Sequence, residues 1–447
     1  MSQFSSEIIR RAIYKTSNPN ADSLSLRKAL TTVLLIGVTY CIIVGIYRVS
    51  LHPLAKYPGP KLAAVTRLWH SYHLCTGDIV VALSWAHETY GPVLRIAPDE
   101  GSTAPHSIVT VDGELHHVYR RLLAKGFSNA ALREQEPVIQ RNINLLIEKL
   151  HEEVAAGRTP EMTAWFNYAT FDLIGELAFG ETYGCLENSQ YHPWVEIILK
   201  VMKLRAMTHA VGYYPWIFHI LMLFVLKSLR DKFVTHRTYT HDKVQHPQNG
   251  LERYEIDGNC STLIIAGSET TATALSATLY FLTQNENAKR KVIGEIRSTF
   301  HNVGDINSIS VNQLKYLNAC MNEALRIFPL GPAVFPRRVP PGVGIAHYCI
   351  NRCSRNFVDP DKFIPERWLG DPVYQNDDRH AMQAFSYGPR NCIAHNLARL
   401  EIRLVLARLI WEFDWELAPG SEQWEEALVF NVWSTKLLNI KFTPVLR

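Results

Sequence analysis

Residues 385–398 read Phe-Ser-Tyr-Gly-Pro-Arg-Asn-Cys-Ile-Ala-His-Asn-Leu-Ala and contain one cysteine, Cys392. A thiol becomes a strong metal ligand only as its thiolate. Arg390, two residues earlier, and the start of the helical pattern that follows both favour the anion. Gly388 and Pro389 make a turn from which backbone N–H groups can point back at the sulfur, and Phe385 can cover it from water. The combination suits one axial thiolate on a haem iron. The competing reading is a structural cysteine, the usual role of an isolated thiol.

Three other groupings could act with such a centre. Glu323 and Arg326 stand at i and i+3 of a helical pattern, where a carboxylate and a guanidinium face each other, and Pro365-Glu366-Arg367-Trp368 supplies a second guanidinium. Glu323, Arg326 and Arg367 can form a hydrogen-bonded triad that braces the thiolate segment. Alone, the Glu-x-x-Arg spacing also fits an exposed pair. In Ala266-Gly267-Ser268-Glu269-Thr270-Thr271 a glycine interrupts a long helical pattern at a cost of about 1 kcal/mol against alanine. Small residues there let a flat cofactor and dioxygen reach the backbone, and Glu269 with Thr270 can pass protons to reduced oxygen. Without the other groupings, the same segment reads as a helix-packing glycine beside two solvated side chains. His116 and Arg120, at i and i+4, can point from one helix face at anionic carboxylates, or be ordinary exposed basic residues.

The pattern Phe-x-x-Gly-x-Arg-x-Cys-x-Ala around Cys392 resembles the haem-binding signature of cytochrome P450 enzymes, with Ala394 where that family usually has glycine. The segments at Glu323, Arg367 and Ala266 resemble further motifs of the family and occur in its order. The likeness runs from His52-Pro53-Leu54 through Phe171-Asp172-Leu173-Ile174-Gly175 to the end and is nearest to fungal microsomal members. It implies the cytochrome P450 fold and haem b held through Cys392. Two electrons would come from NADPH through NADPH-cytochrome P450 reductase, and one oxygen atom of O2 would enter an apolar small molecule of secondary metabolism. In that reading Glu269 and Thr270 deliver protons, while Phe385, Gly388 and Arg390 shape the ligand loop. His116, Arg120 and Arg337 hold the haem propionates, with His116 standing where the family more often has tryptophan. Ile265, Ala266, Ala333 and Val334 shape the substrate pocket, and Arg390, Arg399 and Arg403 meet an acidic reductase surface. Two alternatives stay open: a haem-thiolate isomerase or dehydratase that needs no reductase, and a catalytically impaired relative. The second is raised by residues 98–109, 244–257 and 339–357, which are short beside the family.

Positioning these groups falls mainly to helices. Periodicity predicts them over residues 115–124, 136–153, 168–179, 257–284, 288–300, 314–327 and 397–413. Strand signals are confined to residues 92–96 and 437–442, so the expected fold is mainly α with a small β-sheet, one catalytic domain over residues 61–447. Residues 29–47 are uncharged and bracketed by Arg27, Lys28 and Arg48; as a helix they span about 28 Å and can cross a bilayer once. Tyr47-Arg48-Val49-Ser50 offers no small-residue cleavage site, which argues for a transmembrane anchor over a signal peptide. Residues 1–28 form its flank and 48–60, with three prolines, a stiff linker. The expected location is the endoplasmic reticulum membrane with a cytosolic catalytic domain, although basic residues on both flanks leave the orientation undecided by charge. Residues 216–226 are apolar but too short to cross, and read as an interfacial or core helix.

Composition removes other classes. The 447 residues are 47% apolar and 20% charged with a net charge of +4, which excludes a disordered tail and gives no basic surface for nucleic acid. Eight cysteines show no paired disulfide spacing, and Cys349 with Cys353 lacks the second pair of a zinc site.

Overall fold

The structure is a computed structural model that describes residues 19–98, 108, 113–193, 195, 207–208, 210–212, 214, 253–332, 334–337, 343–430 and 432–446. The chain forms two compact units, residues 1–69 with 89–99, and residues 70–88 with 100–447. The apolar run at 216–226 and Ala333 lie outside the described residues, as do most of 98–109 and 244–252 within 244–257.

The first unit is led by helix α1 (Pro19–Ser50). Its stretch Arg27–Ser50 has a mean hydropathy of 2.3 and is long and apolar enough to cross a membrane; none of it is buried against the rest of the chain. Within it the Thr31 and Thr32 hydroxyls donate to the carbonyls of Arg27 and Lys28 at 2.8 and 2.9 Å, so the helix satisfies its own polar groups. A short helix, α2 (Lys61–Val65), follows the proline-rich turn. Residues 92–96 form no strand. Arg95 instead donates its N–H to Pro58 at 2.7 Å, and its guanidinium reaches the carbonyls of Arg48 at 2.7 Å and Pro98 at 3.1 Å. Those bonds run to separate carbonyls, not to a partner strand. Gly59 allows the approach, since a Cβ there would stand 2.3 Å from the Arg95 oxygen.

Helices α3 (Leu68–Thr76), α4 (Ile79–Tyr90), α5 (Gly113–Ala124), α6 (Asn129–Ala155), α7 (Met162–Phe179) and α8 (Cys185–Asn188) come next. The 32-residue α9 (Arg253–Gln284), then α10 (Glu286–Thr299), α11 (Lys315–Ile327), α12 (His347–Asn351) and α13 (His395–Glu412) follow among the described residues. Helix α9 packs on α7, α11 and α13, and the last two also pack on each other. Side chains cap several of the helices. Ser128 accepts from Ala131 at the start of α6, which therefore begins about two turns ahead of the predicted 136–153 and runs through Pro137. The Glu161 carboxylate accepts from Thr163 and Ala164 at 3.0 and 2.7 Å, and α7 stops at Gly180 with φ +74°. Glu295 of α10 accepts from Tyr316 and Leu317 at 2.8 and 2.9 Å and so caps α11 from a neighbouring helix.

The strands form three antiparallel pairs: β1 (Val334–Arg337) with β2 (Val343–Ala346), β3 (Phe413–Leu417) with β6 (Ile440–Pro444), and β4 (Leu428–Phe430) with β5 (Val432–Ser434). The strand expected at 437–442 starts at Ile440. Leu438 already donates to the Glu161 carboxylate at 2.7 Å and accepts from Met162 at 2.7 Å, so the α7 cap uses its backbone before the ladder begins.

Candidate functional site

Cys392 lies between the single turn Gly388–Arg390 and the start of α13. Its backbone N–H donates to Phe385 at 2.8 Å and that of Asn391 donates to Gly388 at 3.0 Å, which closes the loop around the sulfur. Two residues take positive φ to make that closure, Gly388 at 79° and Ser386 at 60°. Glycine does so freely, serine at about 1–2 kcal/mol. Burial holds the Cys392 thiol above its usual range, and the Ala394 N–H and the charge of Arg120 offset part of that rise. Ala394 has φ −95°, ordinary for any L-residue, so its methyl group brings no backbone strain where glycine was expected.

Arg120 on α5 reaches this loop directly. Its Nη1 donates to the Asn391 carbonyl at 2.7 Å and its Nη2 to the Asn391 side chain. Tyr119, beside it, forms with Ile108 a buried cluster against which Ile393, the residue after the cysteine, packs, and donates from its hydroxyl to Glu255 at the start of α9 at 2.5 Å. His116 is buried one turn before Arg120, its ring edge-on to His117 at 5.8 Å. Arg390 is half-buried within the turn before Cys392. Arg337 closes strand β1 opposite Val343, and its side chain lies outside the described residues.

The Glu-x-x-Arg pair is no surface pair. Glu323, Arg326 and Arg367 are all fully buried. Glu323 accepts from Arg326 Nε and Nη2 at 2.9 and 2.8 Å and from Arg367 Nε at 2.9 Å. It also accepts from the Ile364 N–H at 3.0 Å and the Trp368 indole at 2.9 Å. The guanidiniums spend their remaining donors on the irregular stretch before the Cys392 loop: Arg326 on Asn351 and Pro360 at 2.7 and 2.6 Å, Arg367 on Val358 at 3.0 Å and on the Asp377 carboxylate. Trp368 and Asp377 were not singled out in the sequence. They lie in an aperiodic segment, where no spacing announces a contact.

On α9 the small residues divide between two neighbours. A Cβ on Gly267 would stand 2.9 Å from Ile174 Cδ1, so this glycine serves the close packing of α9 on α7. That corrects the expectation that it opens the backbone to a cofactor. Ala266, next to it, is exposed midway along a core helix. The Thr270 hydroxyl donates to the Ala266 carbonyl at 2.6 Å. Glu269 Oε1 is buried without a hydrogen-bond partner among the described residues, and burial pushes its carboxyl up to about 7.

Arg399 and Arg403, expected to meet a reductase, also have partners within the chain. Both are half-buried on α13. Arg399 contacts Asn322 Oδ1 at 3.4 Å, and Arg403 donates to Asn318 and Asn312. Glu401 on the same helix, unmarked by any motif, is buried and pushed up to about 8. The signal for it is an acid set inside Leu400-Glu401-Ile402.

One sulfur with an amide donor aimed at it, a guanidinium beside it and an exposed small residue in a core helix fit an axial thiolate on a haem. Among the described residues no cluster of three His, Cys, Asp or Glu side chains could hold a bare metal ion. The sequence profile described as Cytochrome P450 matches residues 98–247 and 241–435. Its two parts meet beside the stretch 244–257, one of those read as short. The chain is 78% identical to cytochrome P450 monooxygenase cpaH of Aspergillus oryzae over the whole of both proteins. That alignment runs over 509 positions against 447 residues here, so the relative carries segments without a counterpart in this chain. It is 35% identical to the trichothecene C-15 hydroxylase of Fusarium sporotrichioides, over 91% of this chain and 96% of that protein. With the averantin hydroxylase of Dothistroma septosporum it shares 36% identity, over 89% of this chain and 88% of the relative.

Proposed function

Because the chain belongs to the cytochrome P450 family, we propose that it is a membrane-anchored monooxygenase that inserts one oxygen atom of O2 into an apolar small molecule of fungal secondary metabolism. The family's cofactor is a thiolate-ligated haem with electrons supplied by a reductase partner, and the oxygen chemistry is the cofactor's own. The relatives named as trichothecene C-15 and averantin hydroxylases favour hydroxylation as the reaction class.

Cys392 is the iron ligand. The observation that carries this reading is the loop itself, closed by the Cys392 N–H on the Phe385 carbonyl and tied through Asn391 to Arg120, whose charge offsets part of the burial of the sulfur. Phe385, Gly388 and Arg390 fix the loop's shape; Arg120, His116 and Arg337 hold the propionates. Glu323, Arg326 and Arg367 brace the stretch leading into the loop. Glu269, with a carboxyl near neutrality, and Thr270 one residue on hold and move protons on the side of α9 where Ala266 is exposed.

The chain divides into a flank (1–28), an anchor (29–47), a linker (48–60) and a catalytic domain (61–447). The anchor places that domain on the cytosolic side of the endoplasmic reticulum, beside NADPH-cytochrome P450 reductase. The test is turnover of candidate apolar metabolites by the full chain with reductase and NADPH under 18O2. One labelled oxygen atom in an NADPH-dependent product supports the reading; turnover without NADPH, or a product free of label, contradicts it in favour of an isomerase or dehydratase.

A further inference from the structure

Helix α13 carries two cations that no carboxylate among the described residues pairs with. Arg399 Cζ stands 5.0 Å from the centre of the Phe385 ring, and its only hydrogen-bond partner among the described residues is the neutral Asn322, at 3.4 Å. Arg403, one turn on, likewise meets only the asparagines Asn318 and Asn312. Burial lowers both guanidiniums from their usual range, and Arg399 lowers Arg403 further, to about 10, yet both keep their charge at neutral pH. Phe385 is the ring whose residue carbonyl receives the Cys392 N–H. An unneutralised charge in a partly desolvated place acts over a longer range than one in water. A cation stacked on an aromatic face is also held in position.

We propose that Arg399 sets the reduction potential of the haem carried on Cys392, as a fixed positive charge seated on Phe385. A positive charge near the iron centre favours the state with one more electron, so Arg399 eases the one-electron ferric-to-ferrous step that the reductase performs. Arg399 gains and loses nothing in that step. It is a positioning and electrostatic residue, placed where the sequence pointed to a reductase contact. The inference rests on Cys392 being the iron ligand.

The experiment is an anaerobic spectroelectrochemical titration of the full haem-loaded chain at low ionic strength, with the ferrous carbon monoxide spectrum taken on each protein. Arg399→Gln removes the charge. Asn322→Asp leaves the guanidinium and its stacking in place and neutralises the charge with a new carboxylate. Both should move the midpoint to more negative potential and lower the ferrous share at a fixed poise several-fold, a tenfold fall being about 59 mV for a one-electron couple. Arg399→Lys should stay with the parent. An unchanged midpoint in Arg399→Gln, or an equal drop in Arg399→Lys, overturns the proposal; if Arg399→Gln loads no haem, an unchanged midpoint in Asn322→Asp overturns it alone. A parent without the red-shifted thiolate band would instead remove the Cys392 assignment.

Discussion

Arg120 donates to the carbonyl of Asn391 at 2.7 Å, although 271 residues separate them in the chain. Through this contact helix α5 holds the residue next to the candidate iron ligand, and its charge favours the thiolate. Hydrogen bonds from a charged group contribute about 1.5–3 kcal/mol each. Arg120→Ala should therefore weaken haem retention about tenfold or more, read as haem lost to an apo-myoglobin acceptor, with Arg120→Lys intermediate. Retention equal to the parent in Arg120→Ala would remove this residue from the site.

The Glu323 carboxylate is the single acceptor shared by two fully buried guanidiniums, an indole and a backbone N–H. Removing one side of a buried ion pair costs about 3–5 kcal/mol. Glu323→Ala should lower the unfolding free energy by that order and lose haem, and Glu323→Gln should fall between it and the parent. An exposed pair would lose less than about 1 kcal/mol, which a denaturation curve resolves.

Gly267 meets Ile174 too closely to accept a methyl group. Gly267→Ala should destabilise by about 1–3 kcal/mol through overpacking. Combined with Ile174→Ala, which frees the space, the loss should be clearly smaller than the sum of the two single losses. Simple additivity would show that the glycine serves the other face of α9.

Glu269 holds its proton to about pH 7 in the fold, whereas an ordinary carboxyl releases it near 4.5. Between those values the folded state binds the extra proton, so this group makes stability fall as pH rises through the window and level off above it. Glu269→Gln removes that part of the slope. Urea unfolding at pH 5 and pH 8 should show the variant gaining on the parent at the higher pH. Glu401, pushed to about 8, adds a slope of the same sign in both proteins and cancels in the comparison. Parallel behaviour at the two pH values would place the Glu269 carboxyl in water.

What the sequence made legible is what repeats or spaces itself along the chain. Glu323 and Arg326 are one helical turn apart, and the Cys392 loop carries its turn residues beside the sulfur. The long helices announce themselves by periodicity. Contacts that form only when distant segments meet stayed hidden. Asn391 as the partner of Arg120, Asp377 as the partner of Arg367, and Ile174 as the reason for Gly267 have no local signature. The late start of β6 has the same origin, a backbone already used by the Glu161 cap. The asparagines that packing of α13 on α11 puts against Arg399 and Arg403 are equally non-local.

The account stands most directly on the absorption spectrum of the reduced chain under carbon monoxide, compared with that of Cys392→Ala. The parent should show the strongly red-shifted Soret band of a thiolate-bound haem, and the variant should lose it. An unshifted band in the parent, or a red-shifted band that survives in Cys392→Ala, would contradict the assignment of this sulfur to the iron.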